Sequence, residues 1–156
     1  MRTVSIVNRT RNSVLGTCIG VADQWWQRAR GFLRRPEPRE GEGLLLSPCR
    51  AVHMVGMAFP LDVIFVNRHG EVLALYAGLS PGRRSGWHRR AKYALEVPAG
   101  TIESTDTRVG DVIAWSTSEP DLAATGASFA TASIVTDPAP VDDAGRDRRS
   151  DPRGGR

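Results

Sequence analysis

Residues 53 to 66 read H-M-V-G-M-A-F-P-L-D-V-I-F-V. The run is almost wholly apolar, yet it carries a carboxylate, Asp62, beside residues of the kind that proteins bury. An unpaired buried charge is costly. A chain that folds around this run must therefore give Asp62 a partner or a path to water. A second run, Tyr93 to Gly100 (Y-A-L-E-V-P-A-G), repeats the pattern with Glu96. Both are far shorter than the roughly 20 apolar residues of a membrane span. Each acid falls within a β-type stretch, Asp62 in Leu61–Val66 and Glu96 in Tyr93–Val97.

The chain has 156 residues, enough for one domain with a core. Only 40% of them are apolar, low for a chain folded throughout. The deficit lies at the C-terminus. Residues 117–156 are rich in Ala, Ser, Thr, Asp, Pro, Gly and Arg, and their large apolar residues, such as Leu122, Phe129 and Ile134, follow no period. Such a segment buries too little to offset its ordering entropy, so it is expected to be a disordered tail. The folded domain is expected to be residues 1–116.

Charge divides at the same boundary, +6 on residues 1–116 and −2 on the tail. A basic domain raises the question of nucleic acid. Of the 21 basic residues 20 are Arg, however, which reads as a coding bias. No helix-turn-helix or RNA-binding signature accompanies them, so nucleic acid is not an expected partner. Cys18 and Cys49 form no C-x-x-C pair. The N-terminus M-R-T-V-S-I-V-N lacks the apolar core of a secretion signal. The expectation is a cytoplasmic protein, not membrane-bound, with two reduced and buried thiols.

The remaining pattern is β-rich. Val4–Val7 and Ser13–Ala22 form a hairpin about the polar turn Arg9–Asn12. Asp23 is placed to cap an amphipathic helix with Trp25, Ala29, Phe32 and Leu33 on one face, ended by Pro36 and Pro38. Trp26 lies off that face, as a flank or a partner surface. Gly43–Leu46, Val52–Met57, Leu61–Val66, Glu71–Tyr76, Tyr93–Val97 and Val112–Trp115 are strand candidates. The clearest hairpin joins two of them through Asn67-Arg68-His69-Gly70. A helical turn is expected within Thr101–Thr107.

Two groups of residues can carry chemistry. His53, Asp62 and Glu96 would form an acid–base or metal site if their strands converged. The plainer reading, which the spacing favours, gives Asp62 backbone hydrogen bonds, Glu96 an Arg partner and His53 a half-buried satisfied position. The second group is the loop G-R-R-S-G-W-H-R-R, with Arg83, Arg84, Trp87, His88, Arg89 and Arg90 and no acid. Guanidinium groups pair bidentately with phosphate or carboxylate, and an exposed Trp stacks on a base or sugar. The plainer reading is a solvated connector whose Trp87 folds back on the barrel. There is no P-loop, G-x-G-x-x-G, H-E-x-x-H, nucleophile elbow or zinc-type Cys/His spacing. Neither a cofactor nor a resident metal is expected.

Several pieces, in order, carry a resemblance: Q-R-A-R-G-F-L (27–33), G-L-L-L (43–46), His53, G-M-A-F-P-L-D-V-I-F (56–65), N-R-H-G-E-V (67–72), A-L-E-V-P-A-G (94–100) and V-G-D-V-I (109–113). Together they resemble the domain of unknown function 192 family of small prokaryotic proteins, over about residues 13–115. Many members carry W-M-K-N-T before the P-L-D. This chain has the shorter G-M-A-F, so nothing tied to that Lys and Asn transfers. The resemblance implies a mainly β (α+β), jelly-roll-like sandwich or barrel with one packed helix, and no established activity. In some bacteria it also implies proximity to pilus-assembly or secretion systems. The resulting expectation is a non-enzymatic binding or accessory module for a small anionic ligand, a sugar or a protein partner, with the basic loop as its preferred surface. The alternative is an enzyme using His53, Asp62 and Glu96.

Overall fold

A computed structural model describes residues 2–24, 32 and 36–117. The hairpin at the N-terminus is β1 (Thr3–Asn8) and β2 (Ser13–Ala22), followed by β3 (Glu42–Leu46). Next come β4 (Leu61–Val66), β5 (Val72–Leu79) and β6 (Tyr93–Pro98). A single helical turn, α1 (Thr101–Ser104), precedes β7 (Ile113–Ser116). The strands form one seven-stranded sheet in the order β5-β4-β6-β3-β2-β1-β7. Every pairing is antiparallel except β2 with β3.

The sheet curls into a half-barrel. Its two edge strands meet at one end, where Glu71 bridges Val112. There the Val72 N–H donates to the Asp111 carbonyl at 2.8 Å and the Ile113 N–H to the Gly70 carbonyl at 2.8 Å. The β1–β2 turn is tied to the same end. Asn8 Nδ2 donates to Asp111 Oδ2 at 2.9 Å and Arg11 Nε to the same oxygen at 3.1 Å. Burial pushes the Asp111 carboxyl up, but the bonds from Asn8, the Arg108 N–H and Arg11 outweigh it and hold the group below the usual carboxylate range.

Alternate residues on a strand face opposite sides of a sheet. The inner face packs Ile6, Ile19, Leu45, Ile64, Leu95 and Ile113 into one cluster. The outer face packs Leu44, Leu46, Leu61, Val63, Phe65 and Ala94 into another. That second cluster needs a cover, and the segment between β3 and β4 supplies Val52, Met54 and Phe59. Phe32 adds an edge-on ring contact to Phe59, with centroids 6.3 Å apart. Both faces of β4 are thus buried, which is why its sequence shows no polar alternation.

The mainly β expectation holds, with three local corrections. Val52–Met57 is not a strand of the sheet. It forms only an isolated bridge at His53, because Val52 and Met54 turn inward as a cover and Gly56, at φ +80°, bends the chain away. β5 runs on to Leu79, three residues past the strand end expected at Tyr76. Cys18 is exposed and Cys49 half-buried, both as free thiols. Cys18 lies in a β2 irregularity where the Gly41 carbonyl accepts both the Thr17 and Cys18 N–H groups, at 2.9 Å each, and the alternation slips. The helix expected after Asp23, with Trp25 and Trp26, and the tail from residue 118 lie outside the described residues.

Candidate functional site

The basic loop is not a free excursion. It pairs with the cover segment to form an irregular ribbon across the outer face. The Met54 N–H donates to the Arg83 carbonyl at 2.7 Å, and the Gly82 N–H to the Met54 carbonyl at 2.9 Å. The Ser85 N–H donates to the Val52 carbonyl at 2.9 Å and the His88 N–H to the Arg50 carbonyl at 2.8 Å. Ser85 Oγ accepts the Val52 N–H at 2.9 Å. His53 and Arg84 lie directly opposite each other in this ribbon. The fold therefore joins one residue from each of the two groups singled out by the sequence.

Three rings anchor the ribbon. His88 lies over Phe65, with centroids 4.4 Å apart and planes at 38°. Tyr76, on β5, meets His88 edge-on, and its hydroxyl lies 2.9 Å from His88 Nε2. The same hydroxyl accepts the Gly86 N–H at 2.9 Å. Burial lowers the His88 pKa, which favours the neutral ring. Trp87 sits between these two anchored positions and projects outward, 68% exposed. It does not fold back on the barrel. Neither Tyr76 nor Phe65 was singled out from the sequence, since an aromatic residue in a strand carries no signal of what it will stack on.

The ribbon carries one sign of charge. Residues 47–60 and 77–92 contain no Asp or Glu. Arg50, Arg83, Arg84, Arg89 and Arg90 are exposed, and none makes an ion pair among the described residues. Arg50 is a member the sequence reading missed; the acid-free stretch around it was the available signal.

The carboxylates do not join His53. Asp62 pairs in register with Val97, and Glu96 with Val63 and Leu44. Register partners share a face, so Asp62 looks to the inner side and Glu96 to the outer side. Asp62 is fully buried. Its Oδ1 accepts the Gly78 N–H and its Oδ2 the Ile102 N–H, each at 2.7 Å. It therefore binds β5 and the first turn of α1 to β4. Glu96 is buried by its apolar neighbours, and this pushes its carboxyl up to about 7. No Arg pairs with it among the described residues. His53 is exposed rather than half-buried. No group of three His, Cys, Asp or Glu side chains among the described residues is arranged to hold a metal ion.

The open mouth of the half-barrel holds a cavity of about 310 Å³. Val4, Val21, Leu45, Tyr93 and Trp115 are among the residues that line it. The rings of Tyr93 and Trp115 meet edge-on at 4.8 Å.

The fold has close counterparts among solved structures. A protein of unknown function from Novosphingobium aromaticivorans superposes with a TM-score of 0.63 at 21% identity, over 72% of this chain and 84% of that one. A protein from Sinorhizobium meliloti, described as a candidate transcription regulator, gives a TM-score of 0.61 at 21% identity, over 72% and 91%. At that identity the likeness is one of fold. In sequence, the chain is 30% identical over 118 residues to a UPF0127 protein of Thermococcus sibiricus, covering 73% of this chain and 76% of the relative. A UPF0127 protein of Pyrococcus furiosus is 42% identical over 65 residues, 42% of this chain and 55% of that protein. The sequence pattern of DUF192 (uncharacterized ACR, COG1430) matches residues 6–115. Nearly all of the half-barrel, with Asp62, Glu96 and the ribbon, falls within that span, and the chain belongs to the DUF192 family.

Proposed function

We propose that this protein is a non-enzymatic binding module that takes a small anionic ligand, a phosphorylated sugar or sugar acid, on the ribbon of residues 48–57 and 80–91. The observation that carries this reading is Trp87: a large ring held outward between two anchored residues, among arginines that have no acidic neighbour. A solvated connector has no need to hold an indole in water, whereas a sugar site uses one as a stacking plate. Arg84, Arg89 and Arg90 supply forked donors that match phosphate or carboxylate oxygens. Screening over roughly 8 Å at physiological salt confines their pull to short range, so binding is weak and salt-sensitive.

The test is a titration of wild type with glucose 6-phosphate and glucuronate at low and physiological salt, followed by Trp87 fluorescence and amide NMR shifts. Saturable shifts on the ribbon that weaken with salt support the proposal. The combined change of Arg83, Arg84, Arg89 and Arg90 to Ser is expected to abolish them with the fold intact. Shifts with single-stranded RNA alone would reassign the ligand. No response to any of these probes overturns the reading.

A further inference from the structure

One end of the half-barrel is tied shut by the Glu71–Val112 bridge and the Asp111 hydrogen bonds. The inner face at its mouth instead borders the cavity of about 310 Å³. The lining of that cavity is graded by exposure. Val4, Val21, Leu45 and Tyr93 belong to the buried inner cluster, and Trp115, half-buried, packs against it. Arg2, Asp23, Gln24 and Thr117 also line the cavity and are exposed. The register accounts for the gradient. Val21 lies beside Leu45, and its N–H donates to the Arg2 carbonyl at 2.8 Å. Arg2 and Asp23 therefore stand two residues beyond Val4 and Val21, where the apolar inner face gives way to solvent. A cavity of this size, apolar within and polar where it meets water, is the common form of a small-molecule site.

We propose that this cavity binds a planar aromatic carboxylate, a ring system that bears one short acidic arm. The rings of Tyr93 and Trp115 stand at 71° to each other, and a ligand ring adds a third to the pair by stacking or edge contact. A dry cavity of about 150 Å³ holds one benzene, so this one has room for two fused rings and an arm. Arg2 and Asp23 are the charged residues of the lining. Asp23 already has a partner, whereas Arg2 makes no ion pair or side-chain hydrogen bond among the described residues. The Arg2 guanidinium is thus the charge left to a ligand, and its forked donors match a carboxylate. The net charge of +6 on residues 1–116 favours an anion as well. The site lies on the inner face and the ribbon crosses the outer one, so the two stand or fall separately.

Amide NMR titration of the full chain with 2-naphthylacetate is expected to give saturable shifts at Val4, Val21, Leu45 and Trp115. The neutral 2-naphthylacetamide, of nearly the same shape, should bind about fivefold more weakly, the worth of one exposed ion pair. Arg2→Gln should raise the Kd of the acid to that of the amide and leave the amide unchanged. A loss confined to the charged ligand separates ion pairing from damage to the fold. Octanoate, which has the charge without the rings, should bind more weakly than 2-naphthylacetate. The combined change of Arg83, Arg84, Arg89 and Arg90 to Ser should leave the Kd of the acid as in wild type, which distinguishes this site from anion binding on the ribbon. The proposal is overturned by the lack of a saturable shift at these inner-face residues, by equal affinity of wild type for acid and amide, by an acid affinity that Arg2→Gln leaves intact, or by octanoate binding as tightly as the naphthyl acid.

Discussion

Asp62 and Glu96 lie on adjacent strands, one register step apart, and face opposite sides of the sheet. One is bonded twice to backbone N–H groups and the other not at all among the described residues. Each acid therefore has its own consequence.

Asp62→Ala strands the Gly78 and Ile102 N–H groups in a buried setting. Each loses a bond to a charged acceptor, so the expected loss is about 3 kcal/mol. Urea melts read this directly. A loss below about 0.5 kcal/mol would show that these two bonds do not hold β5 and α1 to β4.

Glu96 makes stability depend on pH. Its carboxyl titrates near 7 in the folded protein, against an ordinary value of 4.5. Between those values the unfolded chain loses the proton and the folded one keeps it. Stability is therefore greatest below the ordinary value and falls as pH rises to 7, by about 3 kcal/mol in all. Glu96→Gln should remove that slope and be the more stable protein above pH 7. Parallel slopes in the two proteins would place the titration elsewhere.

Gly70→Ala should open the closed end of the half-barrel. Gly70 sits at φ +85°, and an added Cβ would collide with the Ile113 carbonyl oxygen, which belongs to the closing strand. Left-handed strain and the lost Ile113–Gly70 bond together should cost about 2 kcal/mol or more. Amide exchange at Ile113 and Val72 is the sharpest readout, and protection equal to wild type would refute the assignment.

Deletion of residues 118–156 should leave the unfolding midpoint unchanged. Among the described residues, both core clusters are complete by Ile113, with Trp115 packed against the first. A drop of many degrees would mean that part of this segment completes the core.

The strand set was legible in advance because turns and apolar runs are local signals. β2 and β4 have the bounds that the sequence suggested, and the Asn67–Gly70 turn lies between β4 and β5. Asp62 as an acceptor of backbone N–H groups was legible too, since so apolar a run leaves a carboxylate little else to bind. The Val52–Met57 segment misled because a cover strip and a strand share the same in–out alternation. Only the partner distinguishes them, and here the partner is a loop.

The sequence by itself determined most of the apolar core, where the chain turns, and that two acids and one basic aromatic loop needed an explanation. It could not assign the two acids to faces. L-D-V-I-F-V and Y-A-L-E-V are buried on both sides, so apolarity carries no face label, and a shift of one residue reverses every side chain. Register, curl and the pairing of distant loops decided the rest. They left Glu96 without a hydrogen bond among the described residues, set His53 beside Arg84, and held Trp87 out in solvent. Each of these depends on contacts between segments far apart in the chain, which exist only once the sheet has closed.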